Sequence, residues 1–151
     1  MQIFSEQLEI NAPDHVVYDV ITDLPRYADW NKWIYHAEGS TEPDGRVRVK
    51  MQMGGREKTF DHRIVSAIRP HTFHWCDVGW FTVFADGERT RRITPLSDST
   101  CVYRVEIRIT GIGQHLATLF FGKFLNKGLL AEALSLKERA ESLFISPGAR
   151  T

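Results

Sequence analysis

A few side chains in this sequence could do chemistry if the fold turned them inward. In "KTFDHRI" the residues Phe60, His62 and Ile64 share one parity, so a strand here carries His62 on the same face as two apolar neighbours. An imidazole in an apolar cavity can orient a ligand, or move a proton near neutral pH. The other reading is a core histidine satisfied by a neighbour, or a strand phased so that His62 is exposed. Arg89 and Arg91, in "ERTRR" at 88–92, raise the same question. An inward arginine needs an anionic partner. A ligand carboxylate or phosphate would serve, bound bidentately, as would Asp61 or Glu106. Charged residues are mostly exposed, which favours a solvated edge for this run. Tyr103 lies on the apolar parity of its strand, and its hydroxyl would need a partner if buried.

"HTFHWC" at 71–76 holds three metal-competent side chains, His71, His74 and Cys76. Their spacing fits no standard zinc pattern and no second pair accompanies them, so no metal is expected. If Phe73 and Trp75 face the core, His74 and Cys76 share the outer face. Cys76 beside His74 could form a nucleophile–base pair, but nothing flanking it resembles a thiol-enzyme signature. A half-buried thiol is the simpler reading.

The chain has 151 residues, 42% hydrophobic and 25% charged, in the range of a single globular domain with a full core. Its formal net charge is zero, which argues against nucleic acid as a partner. Two cysteines are too few for a disulfide scaffold and suit a reducing, cytoplasmic setting. The first ten residues carry no signal-peptide pattern, and the longest apolar run, "LATLFFG", is far short of a membrane span.

The elements that would hold these residues follow from periodicity. Residues 2–10 read as a strand, with Phe4, Leu8 and Ile10 on one parity. "NAPDHVVYDVITDL" reads as a helix with Asn11 as N-cap and an apolar face of Val16, Val17, Val20, Ile21 and Leu24. Pro25 ends it, leaving room for a short second helix over 26–32. There "DLPRYADWNKWI" packs two of the four tryptophans into a segment rich in charge. From 33 to 111 the period is two, with turn signals at 42–45, 54–55, 69–71, 85–87 and 95–99, giving about six further strands. The clearest alternation sets Cys101, Tyr103, Val105, Ile107 and Ile109 against Val102, Arg104, Glu106 and Arg108, one buried face and one wet. Residues 115–144, free of proline, read as one long helix with an apolar stripe of Leu116, Leu119, Phe120, Phe124, Leu130, Leu134 and Leu143. Its C-terminal half carries Glu132, Lys137, Glu138, Arg139 and Glu141 on the other side. Lys123 and Lys127 would snorkel from the stripe or meet an acidic head group. Neutral overall charge gives a membrane-surface role for this helix little support.

The run I-N-A-P-x-x-V-V-Y-D-V-I-T-D-L-x-R-Y-A-D-W-N resembles the opening of the START-like, or SRPBCC, helix-grip superfamily, nearest its polyketide cyclase/dehydrase type. "RIVSAIRPHTFHW", "RRITPLSDSTCVYRVEIRITG" and the closing "ALSLKERAES" are similar to later parts of the same pattern. Where the family commonly has proline after "WN", this chain has Lys32. The resemblance implies an α+β helix-grip fold: a curved antiparallel sheet of about seven strands around a long C-terminal helix, with two short helices after the first strand. It also implies a deep cavity between sheet and helix, and puts an inward position of one strand near Arg91 and Ile93.

On this reading residues 1–146 form one ligand-binding domain and 147–151 a flexible tail. The expected lining is Trp30 and Trp33 from the corner; Met51, Met53, His62, Phe73, Trp75, Phe81, Arg91 and Tyr103 from the sheet; and Phe120 and Phe124 from the helix. The expected partner is a hydrophobic small molecule such as a lipid, polyketide-like aromatic or isoprenoid, with no cofactor and no stable membrane insertion; a homodimer is compatible. One alternative is a cyclase or dehydratase using His62, Arg91 or Tyr103 for proton transfer. Another is a protein-partner module using the Phe-rich helix.

Overall fold

The computed structural model describes residues 1–144, so the expected tail at 147–151 lies outside the described residues. The chain runs β1 (Gln2–Ile10), α1 (Asp14–Thr22), a 3-10 turn (Leu24–Arg26), α2 (Tyr27–Trp30), β2 (Ile34–Gly39), β3 (Arg46–Met53), β4 (Arg56–Ile68), β5 (Thr72–Val78), a second 3-10 turn (Trp80–Val83), β6 (Asp86–Pro95), β7 (Cys101–Thr110) and α3 (Gln114–Leu143). The strands form one antiparallel seven-stranded sheet in the order β1-β7-β6-β5-β4-β3-β2. This is the α+β helix-grip architecture expected from the sequence.

Alternation decides which face is covered. Val47, Val49 and Met51 of β3, Ile64 of β4, Phe73 and Trp75 of β5, Ile93 of β6 and all five apolar-parity residues of β7 are buried. Val17, Tyr18, Val20 and Ile21 of α1 join the same core. The α1 start differs from expectation: Pro13 occupies the cap position without a side-chain bond. Asn11 lies upstream, its backbone N–H donating to Glu141 Oε1 at 2.8 Å, and thus ties β1 to the end of α3. The expected turn at 85–87 also yields, since Asp86 and Gly87 already pair with Thr110 and Ile109 as the first residues of β6.

The largest departure concerns α3. The bulky stripe expected to face the sheet is exposed instead, from Leu116 through Leu134 to Leu143. The buried face is made of Gly122, Gly128, Leu129, Glu132, Ala133, Ser135, Leu136 and Ala140. Small residues let the helix backbone approach the sheet closely. A Cβ on Gly128 would stand 2.1 Å from the Trp33 ring, so the indole occupies the space a side chain would need. Glu132, expected on the wet side, is inside.

Candidate functional site

The corner at 23–34 sets the site. Pro25 sits inside the 3-10 turn between the two short helices, and Tyr27 and Trp30 turn inward three residues apart, edge to face with ring centroids 5.2 Å apart. Asn31 then works as a bracket. Its Oδ1 accepts from the backbone N–H groups of Trp33 (2.9 Å) and Ile34 (2.8 Å), and its Nδ2 donates to Glu132 Oε2 at 3.2 Å. Trp33 is thereby held with its ring between α3 and the sheet.

Arg89 and Arg91, expected on a solvated edge, are buried, Arg91 only 1% exposed. β6 alternation turns both inward, and the anion they need is Glu132 on α3. Arg91 donates through Nε (3.3 Å) and Nη2 (3.1 Å) to Glu132 Oε1, and Arg89 through Nη1 to Oε2 at 3.4 Å. Neither Asp61, which pairs with Arg48, nor Glu106, which pairs with Arg104, is the partner. Aromatic faces complete the enclosure. The Arg89 guanidinium lies 4.5 Å from the Trp33 ring centroid and the Arg91 guanidinium 4.2 Å from that of Trp75. Burial alone would raise the Glu132 pKa, but Arg91, Arg89 and the Asn31 hydrogen bond outweigh it and hold the carboxyl below the ordinary range. Two guanidinium groups share one carboxylate, so the cluster carries one excess positive charge. Arg89 Nε, Arg91 Nη1 and the Tyr103 hydroxyl have no hydrogen-bond partner among the described residues.

Beside this cluster a cavity of about 210 Å³ opens between the sheet and the first half of α3. Its walls are Trp33, then Met51 and Met53 of β3, Phe60 and His62 of β4, Trp75 and Asp77 of β5, and Gly87, Glu88 and Arg89 of β6. They continue through Ile107 and Ile109 of β7, and Phe81 and Ala85 before β6, to Ala117, Phe121 and Leu125 of α3. Apolar cavities of about 150 Å³ bind benzene, so there is room for a one- or two-ring ligand.

Of the expected lining, Trp33, Met51, Met53, His62, Trp75 and Phe81 stand on the cavity wall. The others do not. Phe73 and Tyr103 are packed into the core, and Arg91 sits behind Trp75. Trp30 faces a separate groove between α1 and the end of α3. Phe120 and Phe124 point outward, because α3 presents Phe121 and Leu125 instead. Asp77, Glu88 and Arg89 are the charged wall residues that the expected lining omitted, Asp77 and Arg89 on the inward parity of their strands. Strand parity could have found both: Asp77 shares the parity of Phe73 and Trp75, and Arg89 that of Arg91 and Ile93.

His62 stacks flat on Trp75, with centroids 4.8 Å apart and planes 8° apart. Its Nδ1 is 3.0 Å from Asp77 Oδ1, but the approach is off-line, and neither ring nitrogen has a well-directed hydrogen bond among the described residues. Burial lowers its pKa against the opposing pull of Asp77, which keeps the ring neutral at pH 7. His74 is placed apart, 3.4 Å from Glu88, and no three His, Cys, Asp or Glu side chains among the described residues gather into a metal site.

The family model for polyketide cyclase/dehydrase and lipid transport proteins matches residues 1–141. The chain belongs to this family. Solved structures share the fold at low identity. A START superfamily protein from Mycobacterium smegmatis is 18% identical, with a TM-score of 0.72 over 94% of this chain and 99% of that one. The Zhui aromatase/cyclase from a Streptomyces species is 15% identical, with a TM-score of 0.77 over 97% and 98%. Norcoclaurine synthase from Thalictrum flavum, solved with dopamine and hydroxybenzaldehyde, is 10% identical, with a TM-score of 0.73 over 96% and 89%. No curated protein sequence matches the chain significantly.

Proposed function

We propose that this member of the polyketide cyclase/dehydrase and lipid transport family binds a small amphipathic molecule, its apolar body in the cavity and its anionic end on Arg89. The observation that carries this reading is the buried Arg89 guanidinium on the cavity wall, in a cluster of Arg89, Arg91 and Glu132 with more positive than negative charge. A ligand carboxylate, phenolate or phosphate would supply the missing anion and pair with the free donor edge. The aromatic ligands named for norcoclaurine synthase are of a size this cavity accommodates.

The first test is native mass spectrometry of the purified protein with extraction of whatever it carries. The second compares two fluorescent two-ring probes, the anionic 2-naphthoate and the uncharged 2-naphthol. Arg89→Gln is expected to weaken the anionic probe by about 10- to 100-fold, the size of a lost charged hydrogen bond, with little change for the neutral one. Ala117→Phe, which fills the cavity, is expected to abolish both. Equal effects of Arg89→Gln on the two probes would sink the anionic-end reading.

One observation favours a second reading. His62 and Asp77, the pair of titratable groups that proton transfer requires, converge on the same wall. A cyclase or dehydratase would use neutral His62 as the base and Asp77 to orient it. His62→Gln is then expected to keep probe binding and to lose turnover of a reactive polyketone chain by at least about 100-fold; unchanged turnover would leave binding as the function.

A further inference from the structure

The face of α3 turned away from the sheet is built from large apolar side chains. Leu119 is 77% exposed and Phe120 63%, with Leu116, Phe124, Leu130 and Leu134 exposed beside them. At 100° per residue these six share one side of the helix, opposite the buried Leu129, Glu132 and Leu136. A solvated face would be polar here. Its charge is one-signed as well: between residues 111 and 131 the only formally charged side chains are Lys123 and Lys127, on the same outer side and both exposed. The neutral net charge of the whole chain conceals this segregation, since the helix's exposed acids begin only at Glu138.

The face is continuous with the cavity. A groove lined by Phe60, Phe81, Phe84, Leu116, Phe120 and Phe121 lies at its N-terminal end, and Phe60, Phe81 and Phe121 also line the cavity. Trp80 and Val83, on either side of Phe81, are 87% and 84% exposed, in a segment from 79 to 84 without any charge.

We propose that this outer face of α3 is a docking surface for an anionic lipid bilayer, set so that the cavity mouth opens against the membrane. Apolar side chains would enter the headgroup boundary while Lys123 and Lys127 stay at the phosphates, each contributing on the order of 1 kcal/mol. The bilayer is favoured over a second copy of the chain by charge. Antiparallel pairing of two such faces sets Leu116 against Leu134 and Phe120 against Leu130, but also Lys123 against Lys127, with no acid on the face to compensate. No described helix is long and apolar enough to cross a membrane, so the contact is with the surface. The docking is independent of what the cavity binds.

Co-sedimentation of the full chain with phosphatidylcholine vesicles, with and without phosphatidylglycerol, tests it. Binding is expected only with phosphatidylglycerol, and is expected to weaken as salt rises. Leu119→Ser/Leu130→Ser and Lys123→Glu/Lys127→Glu should each reduce binding at least about tenfold. Both are surface changes, so circular dichroism should be unchanged, and neutral-probe binding in the cavity should persist. Folded wild type that ignores anionic vesicles, or binding that survives both double variants, would overturn the proposal. A dimer in solution that the leucine double variant dissolves, without vesicle binding, would assign the face to a second copy instead.

Discussion

Replacing Glu132 by leucine is expected to cost about 3–5 kcal/mol of folding stability, the range for removing one partner of a buried ion pair. Glu132 is the only carboxylate bonded to Arg89 and Arg91 among the described residues, and all three side chains are enclosed by Trp33, Trp75 and α3. Without it two guanidinium groups remain in the core with no counter-charge, and Asn31 Nδ2 loses its acceptor. Native stabilities are about 5–15 kcal/mol in total, so the urea midpoint should fall by about a fifth or more. The triple variant Glu132→Leu/Arg89→Met/Arg91→Met should recover much of the loss, because an apolar set needs no compensation; no recovery would show that packing, not charge, holds the cluster. The pH dependence has a definite sign. Glu132's folded pKa lies below its ordinary value, so its contribution is fully present above about pH 4.3 and is lost as pH falls through the folded value. The acid limb of the stability curve should therefore be shallower in Glu132→Gln than in the wild type.

The sheet was legible because its signal is local. Alternation in 101–109 gave the phase of β7, and turn residues marked strand ends to within a few positions. The inward histidine was legible for the same reason: Phe60, His62 and Ile64 share a parity, and so do Trp75 and Asp77. The facing of α3 was not. Its first half carries bulky apolar residues on more than one side, so bulk could not say which side the sheet would take, and the deciding residues were the smallest ones, Gly122, Gly128, Ala133 and Ala140. This is why Phe121 lines the cavity where Phe120 and Phe124 were expected. The arginine pair was half legible. The resemblance put an inward position near Arg91, yet the run was expected on a solvated edge, because the carboxylate that makes burial tolerable is on another element, 41 residues beyond Arg91. A buried charge cannot be read from one strand, because its cost is decided by a partner that only the tertiary structure supplies.

Gly128→Ala is expected to destabilise the protein by about 1–3 kcal/mol, the range for overpacking a filled core, while Gly122→Ala in the same helix stabilises it by about 0.5–1 kcal/mol. Both glycines lie inside α3, where alanine has the better helix propensity, so the backbone contribution favours substitution equally at each. The neighbours decide the sign. At Gly122 a new Cβ meets the Phe4 ring at 3.5 Å, ordinary van der Waals contact. At Gly128 it meets the Trp33 ring at 2.1 Å, and the indole has little freedom to move away. Its backbone N–H is held by Asn31, and its face is covered by the Arg89 guanidinium 4.5 Å from the centroid. Relief must come from lifting α3 or from pushing Trp33 toward the cavity it walls. Thermal denaturation of the two variants should therefore move in opposite directions, and Gly128→Ala alone should weaken the neutral probe. A Gly128→Ala protein as stable as Gly122→Ala, with unchanged probe affinity, would mean that the Trp33 wall is soft. The cavity would then be shaped by its ligand instead of by the close passage of α3 over the indole.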